Sequence, residues 1–246
     1  MKNLIRGHIY QLRRDYFFYG CLAVSIVYLF MSIRLTLSLA SALSPLMGVD
    51  GLLDTFLGGD TILYAFMLLT ANMVAETYRT GVMKNIIGRG IAKKQYYLSI
   101  VLTISTAYVL VMLIGGIIMA ALAGSKYGMG TISYPGYYAL SVIARILFAV
   151  AHISFAVTMT VLTRNVITGV VFGLVIPNIP QILEMVLGFF KIQVSLNFLK
   201  ISAHMPSVYA ASNDISSFLP CFLVLCGYLA VSVFVGFRLL KHQDIK

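Results

Sequence analysis

Residues 76–97 read ETYRTGVMKNIIGRGIAKKQYY, a basic, polar stretch between two long apolar runs. It holds five Lys/Arg residues (Arg79, Lys84, Arg89, Lys93 and Lys94) and three glycines, Gly81, Gly88 and Gly90. A simple connector needs neither the leading Glu76 nor a short amphipathic piece bracketed by glycine. The pattern predicts a surface helix through which a membrane part is moved from outside itself.

The flanking composition sets the class. The chain has 246 residues, 60% hydrophobic and 11% charged, with a mean hydropathy of +0.93. A soluble domain carries roughly 25% charged residues, so the expectation is an integral membrane protein built only of helices. The net charge of +10 does not point to nucleic acid, because Lys and Arg gather at the ends of apolar runs, where charge sets membrane orientation. Cys21, Cys221 and Cys226 lie in or beside apolar segments and form no metal or disulfide pattern. With no Trp, the interfacial aromatic role is expected of tyrosines near segment ends, among them Tyr10, Tyr16, Tyr78, Tyr96, Tyr97, Tyr137 and Tyr138.

The runs divide the chain into one membrane domain, 1–246. Residues 1–15 put Leu4, Ile5, Ile9 and Leu12 on one helical stripe and Lys2, Arg6, Arg13 and Arg14 largely off it, the pattern of an interfacial amphipathic helix. Six spans are expected at 16–39, 61–75, 98–123, 137–162, 166–190 and 218–240. The first has a signal-like Ala40-Ser41-Ala42 after it, but its apolar run exceeds a 7–15-residue core and reads as a retained anchor. Pro177 and Pro180 break the fifth, with short outer re-entrant helices expected beyond. Thirteen Lys/Arg fall on one side and three, Lys126, Lys191 and Lys200, on the other, beside Asp50, Asp54, Asp60 and Asp214. The positive-inside rule then places both termini and residues 76–97 in the cytoplasm.

Intramembrane polar residues are the default candidates for function. Arg145 and Glu184 are expected at similar depth in the outer leaflet, as a pair that is either a staple or a polar lining. His152, in the fourth span, is foremost a hydrogen-bonded packing residue and otherwise part of a translocation path, as are Met185, Phe189 and Phe190. Gly169 and Gly173 form a GxxxG motif, a signal for close helix approach. No P-loop, HExxH or GxSxG occurs, and no catalytic or metal constellation can be assembled, so no enzyme is expected in this chain.

Glu76, Gly81, Lys84-Asn85, Gly88-Arg89-Gly90-Ile91 and Tyr96-Tyr97 closely resemble the region between the second and third spans of ABC-2-type transporter permeases. Val82 stands where relatives often carry a hydroxyl. The resemblance extends in outline over the whole chain and is nearest to small bacterial permeases of antimicrobial-peptide export and self-immunity.

It implies a coupling helix, 79–91, docked on a separate ATPase. In that reading Met83, Ile86, Ile87 and Ile91 supply the seated apolar face. Arg79, Lys84 and Arg89 meet acidic residues, Gly81 belongs to the motif, and Glu76 caps the segment or pairs with the N-terminal arm. The implied assembly has two ATPase chains carrying ATP and Mg, with no cofactor on this chain. A second permease chain, the bilayer and a peptide or other hydrophobic substrate complete it. The implied place is the bacterial cytoplasmic membrane. The alternative function is a non-transporting immunity or anchor protein that binds a peptide at the outer face.

Overall fold

In the computed structural model the described residues are 2–43, 60–127, 135–192, 195–196, 199 and 218–242, and among them there is no strand. The amphipathic arm is α1 (Lys2–Arg14). It is separated from α2 (Tyr16–Leu43) by Asp15 alone, whose Oδ1 accepts the Phe17 N–H at 2.8 Å. That carboxylate satisfies one of the donors every helix start leaves open. Tyr19 Oη reaches back to the Arg13 carbonyl at 2.9 Å and braces the corner.

Next come α3 (Thr61–Arg79), the short α4 (Val82–Gly88) and the long α5 (Lys93–Tyr127). A hairpin of α6 (Pro135–Thr163) and α7 (Val166–Val175) turns at Arg164-Asn165, and Asn165 caps α7 by accepting the Ile167 N–H at 2.9 Å. A single 3-10 turn, Ile176–Asn178, leads into α8 (Ile179–Phe189), and α9 (Phe218–His242) closes the described chain.

Two helices form the centre. α3 is buried along most of its length, from Ile62 to Thr77, against α2, α5, α6 and α7. α6 is buried almost without interruption from Ala149 to Thr158 between α3, α7 and α9. Within lipid, burying an apolar side chain gains little over leaving it against acyl chains, so close backbone approach and hydroxyl pairing hold such helices together. Gly173 supplies the approach: a Cβ there would lie 3.1 Å from Ala156 and 2.9 Å from Met67. Gly169 faces Thr160 still more closely. The GxxxG expectation is met in the α6–α7 hairpin.

Five stretches among the described residues are long and apolar enough to cross a membrane: Tyr16–Arg34, Lys93–Leu122, Ala139–Thr163, Val166–Phe189 and Phe218–Lys241. The expected second span is not among them. Its residues belong to α3, which carries Glu76 and Arg79 in its last turn and begins where the undescribed residues 44–59 end.

The fifth expected span also differs. The α-helix is interrupted at Pro177, as expected, but only by the 3-10 turn Ile176–Asn178; the backbone stays right-handed and helical or nearly so from Val166 to Phe189. Asn178 Nδ2 donates to the Leu174 carbonyl at 2.8 Å, which satisfies an acceptor beside the irregular turn. The re-entrant helices expected over 181–199 fall mostly on α8, which continues the candidate span Val166–Phe189, while residues 193–194 and 197–198 lie outside the described residues.

Candidate functional site

The 76–97 stretch forms a compact platform. α3 ends as Thr80 N–H and Gly81 N–H bond to the carbonyls of Glu76 and Tyr78, at 2.9 and 3.2 Å. Gly81 has φ 69° and Gly90 φ 80°, one on either side of α4. Neither glycine is there for space, since an added Cβ would meet nothing within 4 Å; the left-handed backbone is what requires them. Helix is confined to Val82–Gly88, shorter than the expected 79–91.

Two turns of helix do not hold themselves together in water, and α4 is anchored by Met83, 1% exposed in the core. Ile86 and Ile87 are half-buried against the same core. This corrects the expectation that Met83 is part of the face docked on a partner. Met83 is spent inside the chain, and Ile91 is half-buried in a groove beside α1. What α4 turns outward is Lys84, Asn85 and Gly88, followed by Arg89. Glu76 accepts from Arg79 Nη2 at 3.5 Å, both side chains well exposed, so Glu76 pairs within its own helix and not with the arm.

Behind the platform lies a hub that the sequence reading missed. Tyr96 and Tyr97 are 0% exposed, not interfacial anchors. Tyr96 Oη pairs with Thr77 Oγ1 of α3. Tyr97 Oη lies 2.8 Å from Ser154 Oγ and 2.9 Å from Thr158 Oγ1 of α6, and Ser154 Oγ is 2.8 Å from Ser232 Oγ of α9. Gly236 lets α9 pass the Tyr97 ring, where a Cβ would come within 2.6 Å. One pair of adjacent tyrosines therefore ties α5 to α3, α6 and α9.

The arm joins the same hub. His8, 3% exposed, has Nε2 at 3.0 Å from Ser99 Oγ and Nδ1 at 3.2 Å from Gln11 Oε1. Its ring meets Tyr96 edge-on at 5.7 Å. Burial lowers the imidazole below its usual 6.5, opposed by the Gln11 hydrogen bond, so the docked ring is neutral at pH 7.

Two grooves flank α4. One, of about 520 Å³, lies between the end of α3, α4 and the α6–α7 turn. The other, of about 620 Å³, separates α4 from the arm and includes His8, Gln11, Asn85, Ile86, Arg89 and Ile91.

The remaining candidates are dispersed. Glu184 accepts a hydrogen bond from the Leu196 N–H, while Arg145 sits with Tyr108, Met112 and Ile146 around a cavity of about 30 Å³. The described contacts of the two lie in different places, Glu184 at Leu196 and Arg145 beside α5. His152 is 2% exposed, with Nδ1 2.9 Å from its own helix's Phe148 carbonyl and its ring 4.1 Å from that of Phe148. It is a packing residue. Met185, Phe189 and Phe190 lie on the open face of α8, 63%, 80% and 71% exposed. No group of three His, Cys, Asp or Glu residues suited to a metal occurs among the described residues.

Family models, curated proteins and solved structures contain no match to this chain.

Proposed function

We propose that the chain is the membrane subunit of an ATP-driven exporter of the ABC-2 type, moving an amphipathic peptide or lipid-like substrate, with hydrolysis on a separate ATPase. One observation carries this reading. A short helix with a polar outer face, α4, is pinned to the core by Met83, directly before a tyrosine pair that reaches α3, α6 and α9. A push on α4 is delivered to most of the bundle at once. Such an arrangement suits a subunit that receives mechanical work and has no nucleotide motif of its own.

In this reading α3 is the second of six spans, and both termini lie in the cytoplasm of a bacterial cell. The chain works as a dimer with two ATPase subunits. Lys84, Asn85 and Arg89, the outward residues of the α4 region, make the ATPase contact, while Met83 and Ile87 transmit motion inward.

The test is co-purification. Lys84→Glu with Arg89→Glu is expected to release the ATPase and stop substrate-stimulated hydrolysis while the chain still inserts and stays monodisperse. If the double variant retains the ATPase and transports normally, the docking assignment is wrong.

A further inference from the structure

The groove between α3, α4 and the α6–α7 turn has a chemistry of its own. Three cations converge on it from three segments: Arg79 from the last turn of α3, Lys84 from α4 and Arg164 from the turn between α6 and α7. One carboxylate, Glu76, stands among them. The positive-inside rule asks only that basic residues lie on one side; it does not ask that residues distant in sequence line one cleft.

Arg164 is held in place. Its backbone is left-handed, with φ 54°, its N–H donates to the Thr160 carbonyl at 2.8 Å, and its guanidinium lies over the Tyr78 ring, 5.5 Å from the centroid. The first turn of α7, at Val166 and Ile167, also lines the cleft and adds the positive end of a helix dipole. Asn72 and Asn165 offer neutral polar atoms. The volume of about 520 Å³ falls in the range of small-ligand sites, about 300–1,000 Å³.

We propose that this cleft binds a phosphate-bearing anion, with the headgroup of an anionic phospholipid as its ordinary occupant. The cleft borders the end of one candidate span, Ala139–Thr163, and the start of the next, Val166–Phe189, and basic residues at span ends are those that meet headgroups. Arg79 and Arg164 provide planar forks for phosphate oxygens, and Lys84 adds a third positive charge. A zwitterionic headgroup brings its own ammonium into the same space and is disfavoured. The site needs no ATPase: Arg79 and Arg164 are outside the ATPase contact proposed above, and Lys84 alone is shared with it.

The test uses the purified full chain in neutral detergent with no partner present. Native mass spectrometry follows binding of dioctanoyl phosphatidylglycerol, dioctanoyl phosphatidylcholine and inorganic phosphate. Phosphatidylglycerol is expected to bind at least tenfold more tightly than phosphatidylcholine. Each basic residue near a charged lipid contributes about fivefold, so Arg79→Gln with Arg164→Gln is expected to weaken phosphatidylglycerol about 25-fold. Lys191→Gln, beyond α8 and outside the cleft, leaves binding unchanged.

Arg79→Gln with Lys84→Gln, both on exposed side chains, repeats the experiment if loss of Arg164 disturbs the turn. Phosphate competing as well as the lipid assigns the site to a soluble phosphate; failure to compete assigns it to lipid. Equal binding of the two lipids, or unchanged binding in both double variants, overturns the proposal. It also fails if neither anion binds the wild-type chain.

Discussion

The two ends of the α3–α8 region are built on opposite plans. At the platform, Met83, Tyr96 and Tyr97 are 0–1% exposed, and the hydroxyls of Tyr96 and Tyr97 reach neighbouring helices. At α8, Pro180 alone is buried, and Met185, Phe189 and Phe190 stand open. Both are short helices with apolar faces, and hydropathy scores α8 as the more apolar. The difference is where the face is used: α4 spends it on its own chain, whereas α8 leaves it for lipid or another molecule. Apolar content alone does not say which segment is rigid; the count of partners around each side chain does.

Substituting matched residues at the two ends should break or sharpen this contrast. The largest effect is expected at the methionines. Met83→Ala removes a core side chain and should cost about 2–5 kcal/mol, while Met185→Ala on the open face should change stability by less than about 0.5 kcal/mol. Both are measurable by unfolding in mixed micelles, and equal losses would end the comparison.

Glycines give the next effect. Gly236→Ala drives a Cβ into a Tyr97 ring fixed by hydroxyl bonds to Ser154 and Thr158. Overpacking outweighs the gain in helix propensity, for a net loss of about 1–2 kcal/mol. At Gly188 of α8 a Cβ meets nothing within 4 Å, so Gly188→Ala should be neutral or slightly stabilising. Thermal melting of the two variants side by side decides it.

The smallest effect concerns the arm. The folded value of His8 is lowered from 6.5 by burial, so the undocked ring binds its proton more readily than the docked one. Docking is at full strength above pH 6.5 and weakens as pH falls through the lowered value. Gln11, Ser99 and Tyr96 surround the ring, and Arg89 lines the adjoining groove, so no carboxylate among these groups stands ready to stabilise the imidazolium. Trypsin cleavage at the exposed Arg6 and Arg13, expressed relative to an unstructured Arg peptide cleaved at the same pH, is expected to rise between pH 7.5 and pH 5.5. His8→Gln should flatten that dependence; a profile identical to wild type removes His8 as its cause.

Much of the helix order was legible in the runs of apolar residues, because a span is a property of consecutive residues. The arm, the α6–α7 turn and the limits of α9 fall within a few residues of where composition puts them. What faces what was not legible. Tyr96 and Tyr97 beside two lysines look like an interfacial anchor, and a packed tyrosine has the same sequence signature. A signal was present on the partner helices: Ser154 and Thr158 are four apart on α6, as are Ser232 and Gly236 on α9, a small and hydroxylated stripe suited to close contact. Met83 reads as outward in the sequence because an amphipathic pattern shows that a helix has an apolar side but not whose surface covers it. Depth along the helices matches Arg145 with Glu184 but leaves rotation about each helix axis undetermined.

Gly81 and Gly90 carry a mechanical consequence. Both sit in left-handed backbone with open space around them, one before and one after a rigid piece whose deepest attachment is Met83. The two left-handed turns set the angles at which α4 leaves α3 and the chain enters α5. A side chain at either position would strain that turn without meeting a neighbour, so its cost would fall on the placement of α4 and not on packing.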